Sequence, residues 1–387
     1  MMRQLPLHHA IRNAGRRPVR SLLLVFASAL VAGLLVATSA FVRSLEQSHL
    51  GSSPKNTAIL ISTSSENDII RSAMSSAVAE LVAADVPGVV RVGGVPASSP
   101  EIHMGTDLKL PGDAQAYPAF VRGVTERAYL VHDAVTLVAG RLPGPGEALV
   151  GRLAAAKSDL EEDALRIGSQ IEIEGGTFTV AGTFAAPGTT IESEIWLPLA
   201  ELQGLAQRDD VSCVFVKVGT QDDLADVDYF ATRRLDLELE SVPAGEYYAA
   251  LAAYFEPILA LAWAMAILIG IAATTGGANT VVAAVQERIR ELGTLRAIGF
   301  GGFALGIGVL QEMLTLALAG ALLGLVAARV LLSTVSVSMA MTAFRLEVDA
   351  VSVLVGLLGI VIITVAGALP ALIRILRLPV ARAIKES

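Results

Sequence analysis

The chain contains a single cysteine, Cys213, among 387 residues. No intramolecular disulfide can form, so any domain must be held by its own core. None of the five lysines (Lys55, Lys109, Lys157, Lys217, Lys385) follows a glycine, so there is no G-x-x-x-x-G-K-[ST] loop to cradle a nucleotide phosphate. The five histidines (His8, His9, His49, His103, His132) show no metal-ligand spacing. Neither H-E-x-x-H nor G-x-S-x-G occurs. No catalytic residue, cofactor site or metal site is expected in this chain, and no nucleic-acid partner.

What is present is apolar and concentrated. Apolar residues make up 53% of the chain and the mean hydropathy is +0.60, outside the range of ordinary soluble domains. Ser21–Val42, Pro257–Gln286 and Ala350–Ile373 carry no charge, and Ala297–Val330 is broken only by Glu312 and Arg329. Each run exceeds the roughly 20 residues that a helix needs to cross the hydrocarbon core. Four transmembrane helices are expected. The first run is longer than the 7–15 residues of a signal-peptide core, and no A-x-A site follows it, so it is read as a retained span.

Charge orients these spans. Residues 1–43 hold six Arg and no acid, whereas residues 44–253 hold 14 Lys/Arg against 30 Asp/Glu, a net of −16. Arg12, Arg16, Arg17 and Arg20 precede the first span, and Arg374, Arg377, Arg382 and Lys385 follow the last. The positive-inside rule then puts both termini and the 286–300 segment in the cytoplasm of a bacterial cell, in its inner (plasma) membrane, and the acidic block outside. The expected organisation is a basic cytoplasmic segment at 1–20, spans at 21–43, 254–285, 301–332 and 350–373, an extracytoplasmic domain at 44–253, a coupling segment at 286–300, an outer loop at 333–349 and a cytoplasmic tail at 374–387.

The extracytoplasmic block reads as an α+β domain of two subdomains, with a β-rich insert at about 136–210. Strands are expected at 57–63, 88–95, 119–124 and 212–218, a helix at 68–84, and a charged helix, or helix and strand, over 221–240. Residues 169–174 and 177–183 flank Gly175-Gly176, a hairpin signal. In the third span, Gly302-x-x-x-Gly306 and Gly320-x-x-x-Gly324 would let helices approach closely. Glu312 is an ionisable group at membrane depth, expected to pack against a neighbouring helix near the cytoplasmic end. Pro370 should kink or end the fourth span.

The segment from Gln286 to Phe300 is a charged amphipathic helix where a turn would suffice. Val285, Ile289, Leu292 and Leu295 recur at helical spacing, with Glu287, Arg288, Arg290, Glu291 and Arg296 around them. Its apolar seam is expected to enter a groove of a protein partner, the charges setting register. A helix lying on the membrane lipids is the alternative. Three arginines against two glutamates suit the protein groove better.

Several stretches together resemble the MacB/FtsX-like ABC transporter permeases. They are Ala10-Ile-Arg-Asn-Ala-Gly-Arg-Arg-Pro before the first span, Glu287-Arg-x-Arg-Glu-Leu-Gly-x-Leu-Arg-Ala-Ile-Gly299, Glu312, and Leu378-Pro-Val-x-Arg-Ala-Ile-Lys385. In the outer block they are Gly140-Arg-Leu-Pro, Glu147-Ala-Leu-Val-Gly151, Ile167-Gly-Ser-x-Ile-x-Ile and Phe178-Thr-Val-Ala-Gly182. The C-terminal match departs slightly in register. The resemblance implies a non-catalytic permease working as a dimer, as a homodimer with a second permease copy, and driven by a separate cytoplasmic ABC ATPase that uses ATP and Mg. It implies mechanotransmission from that ATPase to the outer domain. Export from the periplasm or outer leaflet is the leading expectation, with a periplasmic adaptor and an outer-membrane channel as further partners. Lipoprotein extraction, or FtsX-like signalling to an extracytoplasmic hydrolase, is the alternative.

Overall fold

The computed structural model describes residues 18–339 and 342–377, and the chain divides into two compact units. The helical unit takes residues up to Arg43, Pro257–Val335 and Leu346 onward; the outer unit takes Ser44–Glu256 and Ser336–Arg345. In chain order, helix α1 is Pro18–Leu50 and strand β1 Thr57–Ser62. Helix α2 (Val78–Asp85) leads to β2 (Ser98–Lys109), β3 (Ala116–Val124), β4 (Thr136–Gly140) and β5 (Glu147–Gly151). Next come β6 (Gln170–Ile173), β7 (Gly176–Ala185), β8 (Ile195–Pro198) and α3 (Leu199–Ala206). Strand β9 (Cys213–Lys217), α4 (Leu224–Arg233), β10 (Leu239–Pro243) and α5 (Ala244–Ala253) follow. The chain continues as α6 (Glu256–Glu287), α7 (Ile289–Ala297) and α8 (Gly302–Leu332). A hairpin of β11 (Ser336–Met339) and β12 (Thr342–Arg345) precedes α9 (Ala350–Leu376).

The outer unit carries one ten-stranded mixed sheet, in the order β10-β1-β9-β2-β3-β8-β5-β7-β4, with β6 paired to β7 and β2. The strands of the expected insert join this ladder rather than forming a separate sheet. Strand β2 is its longest member and was not foreseen. Its first half pairs with β9 and its second with β3, so residues 98–103 are buried on both faces and lack the alternation that marks a half-exposed strand. Residues 68–77 are turns and a two-residue ladder rather than helix, and α2 begins only at Val78. The 88–95 stretch supplies one short ladder, Arg91–Val92 with Val95–Pro96, and a single bridge from Val89 to Val218.

The hairpin between β6 and β7 is present, with register Gly176↔Ile173. Its two turn residues are Glu174 (φ 50°) and Gly175 (φ 79°), the paired positive φ of a type I′ turn, one residue earlier than the Gly-Gly pair suggested. The core includes Ile59, Leu60, Ile102, Leu149, Phe184, Trp196 and Phe215, each fully buried. Each such aliphatic or Phe side chain contributes about 1.5–3 kcal/mol relative to exposure. The stretch 333–349 is more than a loop: Ala343 and Phe344 are buried, and Ser338 donates to the Lys157 carbonyl within the outer unit (3.2 Å).

In the helical unit, four helices are long and apolar enough to cross a membrane: Pro18–His49, Glu256–Glu287, Gly302–Leu332 and Ala350–Leu376. The protein is a multi-pass membrane protein. At 32 residues, α6 is about 48 Å long against a hydrocarbon core of about 30 Å. Helix α8 packs on α1 through glycine. A Cβ added at Gly320 would lie 2.3 Å from the Val25 carbonyl oxygen, and one at Gly324 2.2 Å from that of Ala29. Lipid tails give little hydrophobic force between helices, so such backbone proximity is what holds them. Gly302 and Gly306 face α9, near Leu376 and Leu372. Pro370 lies inside α9, which runs six residues further to Leu376.

Candidate functional site

The segment expected to couple to a partner is a helix of its own. Helix α6 stops at Glu287, Arg288 leaves helical geometry (φ −110°, ψ 13°), and α7 starts at Ile289. Gly299 (φ 105°) reverses the chain before α8, a left-handed conformation that favours glycine. Nine residues are too few to be helical alone in water, so α7 must bury a face. It does so against its own unit. Leu292 is buried and Leu295 half-buried among Val285, Leu305, Met313, Ala371 and Ile375.

This changes the expected use of the apolar seam. Leu292 and Leu295 are spent on docking α7 inside the chain, with Ile289 half-buried, and are not a free ridge for a partner. Arg288 is also turned inward. Its Nη1 donates to both carboxylate oxygens of Glu312 in α8 (3.2 and 2.9 Å), and both side chains are largely buried. Arg296 donates to the carbonyls of Ile375 (3.1 Å) and Leu376 (3.4 Å) at the end of α9. Glu287 faces Arg20 at 3.9 Å. The outward face is therefore Glu287, Arg290 and Glu291, joined by Ile298, which is 69% exposed and which the spacing argument omitted. The basic segment at 1–17 and the C-terminal motif at 378–385 lie outside the described residues.

A second constellation lies in the outer unit, on one face of the sheet. In β2, Glu101 and His103 are two residues apart and share that face. The register sets Cys213 of β9 opposite Glu101 and Arg122 of β3 opposite His103. Trp196 of β8 pairs in turn with Arg122. Arg122 Nη1 donates to Glu101 Oε2 (2.8 Å), while its Nε and Nη2 grip Glu194 in a fork, each at 2.6 Å. His132 Nε2 stands 2.9 Å from Glu101 Oε1, and the Trp196 indole donates to Glu194 (2.8 Å). The guanidinium also lies 5.8 Å from the Trp196 ring centroid and 5.9 Å from that of Phe215.

Every charged member is at least 95% buried, so the cost of desolvation has to be met by charge pairing and several hydrogen bonds to each carboxylate. Burial alone would raise the Glu101 pKa, but the charges of His132 and Arg122 and the hydrogen bonds from His103 and His132 hold it well below the usual carboxylate range. Burial opposes the charge on Arg122 too, and Glu194 and Glu101 outweigh it. Burial pushes the Cys213 thiol well up, with Glu101 adding to the effect. His103, Arg122 and Glu194 also line a cavity of about 660 Å³, along with Phe120, Tyr247 and Tyr248. Burial pushes the Tyr248 phenol up as well.

Sequence spacing could not reveal this cluster. Its members span residues 101 to 213 and meet only through strand register. The one local signal is Glu-x-His in a stretch otherwise low in charge.

Comparison with known proteins gives the following. The MacB-like periplasmic core domain matches residues 21–228, and the FtsX-like permease C-terminal domain matches residues 263–380. Among solved structures, the outer part is similar to the extracellular domain of the noncanonic ABC-type transporter YknZ from Gram-positive bacteria. That match has 15% identity and a TM-score of 0.38, covering 48% of this chain and 100% of the other. The periplasmic region of MacB from Actinobacillus actinomycetemcomitans matches at 10% identity and a TM-score of 0.39, covering 52% of this chain and 94% of the other. No curated protein matches.

Proposed function

We propose, from the premise that the chain belongs to the MacB/FtsX-like family of ABC transporter permeases, that it is the transmembrane subunit through which a cytoplasmic ATPase moves an extracytoplasmic domain. These 387 residues contain no phosphate-binding loop, and in this reading ATP and Mg are used by the ATPase. The role is mechanical, with no catalysis in this chain. Both termini and α7 face the cytoplasm of the inner membrane in this reading, as the arginine distribution supports. Export from the periplasm or outer leaflet is the direction proposed, on the MacB-like character of the outer part. A periplasmic adaptor and an outer-membrane channel would complete the export path.

The observation that carries this reading is the construction of α7. A helix with Arg290 and Glu291 on its outward face, followed at once by the exposed Ile298, is clamped to α8 by Arg288–Glu312 and to α9 by Arg296. Force applied to that face is delivered to two membrane helices through charged hydrogen bonds rather than absorbed in a loose loop. A second copy of the chain also fits: 6% of the most apolar window of α6 is buried, against 28% for α8, leaving α6 a wide face for lipid or another protomer.

The test is direct. A photo-crosslinking residue at position 298 should join the chain to an ABC ATPase, identified by its phosphate-loop peptide. The double reversal Arg290→Glu with Glu291→Arg should abolish that crosslink and the stimulation of ATP hydrolysis by the permease. Crosslinks to lipid alone, or full stimulation in the double variant, would sink the coupling role of α7.

A further inference from the structure

The buried cluster of the outer unit holds a charge that its own members leave unbalanced. Counted with both histidines neutral, Arg122 supplies one positive charge and Glu101 and Glu194 two negative, a net of −1 on side chains of residues at most 3% exposed. Next to this deficit lie three side-chain donors of different chemistry: Glu101 Oε2, His103 Nε2 and Cys213 Sγ. All three lie within 4.8 Å of one another. They come from two paired strands whose register fixes their backbones, with Glu101 and His103 on one strand and Cys213 directly across from Glu101. We propose that Glu101, His103 and Cys213 form a binding site for a divalent transition metal, Zn2+ by its donor set, with the fourth coordination position open to the adjoining cavity.

Geometry is the first support. Tetrahedral Zn2+ with ordinary bond lengths separates a nitrogen and an oxygen ligand by about 3.4 Å and a sulfur and a nitrogen ligand by about 3.6 Å. Here His103 Nε2 is 3.2 Å from Glu101 Oε2, and Cys213 Sγ is 3.8 Å from His103 Nε2. Both of these separations lie within a few tenths of an ångström of a coordination shell, and the Cys213 thiol lies within 4.8 Å of the Glu101 carboxylate. One thiolate, one imidazole and one carboxylate also suit a borderline-soft ion and do not suit Mg2+ or Ca2+.

Charge is the second support. Zn2+ enters as one proton, that of the Cys213 thiol, leaves to solvent, while the neutral His103 ring carries its proton on Nδ1 and presents the Nε2 lone pair. The cluster then sums to zero: the ion and Arg122 against Glu101, Glu194 and the thiolate. Arg122 is no obstacle, because Glu194 already neutralises it bidentately. A carboxylate oxygen has lone pairs for both a guanidinium donor and a metal. Arg122 and His132 then act as the outer groups that orient the Glu101 carboxylate, as metal-binding carboxylates require. The fourth donor would come from the His103 side: of the three ligands His103 alone borders the cavity of about 660 Å³, beside Arg122, and water or a ligand there can reach it.

The full chain, purified in detergent and stripped with a chelator, should take up one Zn2+ per chain. X-ray absorption at the zinc edge should show one sulfur neighbour at about 2.3 Å and nitrogen or oxygen neighbours at about 2.0–2.2 Å. Co2+ should give tetrahedral ligand-field bands and a thiolate charge-transfer band, the latter lost in Cys213→Ser. His132→Ala, which spares the ligands, should weaken Zn2+ binding about 10–100-fold. No uptake, or a shell without sulfur in the unmodified protein, would overturn the site whether or not any variant folds. A charge-transfer band that survives Cys213→Ser, in protein with unchanged near-ultraviolet circular dichroism, would do the same.

Discussion

The outer unit and the helical unit both bury charge and both rely on close packing, but in opposite proportions. The outer unit has a continuous apolar core, and inside it one buried network in which Arg122 serves two carboxylates and each carboxylate has several donors. The helical unit has small apolar clusters, glycines at α1–α8 contacts, and separate ion pairs, of which Arg288–Glu312, near a helix break, is more buried than Arg43–Asp349 or Arg20–Glu287. The surroundings account for the contrast. In water, burying apolar surface drives assembly, and a buried polar network specifies one arrangement among many. In lipid that drive is absent, so backbone proximity and a few polar contacts hold the helices.

Three substitutions would break or sharpen this comparison. The largest effect is expected for Arg122→Met, which leaves Glu101 and Glu194 buried without their shared cation. The outer unit should lose about 3–5 kcal/mol, read as a lowered unfolding transition of the full chain in near-ultraviolet circular dichroism. An unchanged transition would mean that the network is not integral to the core. Gly324→Val comes next. Its Cβ would lie 2.2 Å from a backbone oxygen that cannot swing away, so α1 and α8 must part, at a cost of about 1–3 kcal/mol. Cysteine crosslinking between α1 and α8 should fall, while proteolysis of the outer unit stays as in the parent. Arg288→Ala should be the mildest for stability, about 1–2 kcal/mol, because the pair retains some exposure. It should nonetheless lose most ATPase coupling, and Glu312→Gln in the same chain should recover part of the stability, since a neutral amide is cheaper to bury. Equal stability losses in Arg288→Ala and Arg122→Met would erase the distinction between clamp and network.

Much was legible beforehand. A charge-free run of twenty or more residues has few alternatives to a membrane helix, and α1, α6, α8 and α9 were readable for that reason. The Gly175 hairpin and the glycine spacing in α8 were readable because each is a local backbone requirement. Strand β2 was not readable, because burial on both faces removes its alternation. The β11–β12 hairpin reads as a loop because its buried residues, Ala343 and Phe344, are adjacent rather than alternating, and β12 packs against residues far away in sequence, at Thr190–Ser193 and Ala154–Lys157.

In the coupling segment, the sequence predicts an amphipathic helix but not which way its residues point. Helical period says that Arg288, Leu292 and Leu295 belong to faces; it does not say whether a face meets a partner or the chain's own helices. Sequence by itself determined that this protein has four apolar helices, an acidic folded block between the first two, and a charged helix between the second and third. Only the tertiary structure decided that Arg288 clamps Glu312 while Arg290 and Glu291 face outward, and that Glu101, His103, Arg122, Glu194 and Cys213 share one sheet face. Period and hydropathy are sums over neighbours along the chain, whereas these contacts are set by strand register and helix rotation between residues up to 112 positions apart.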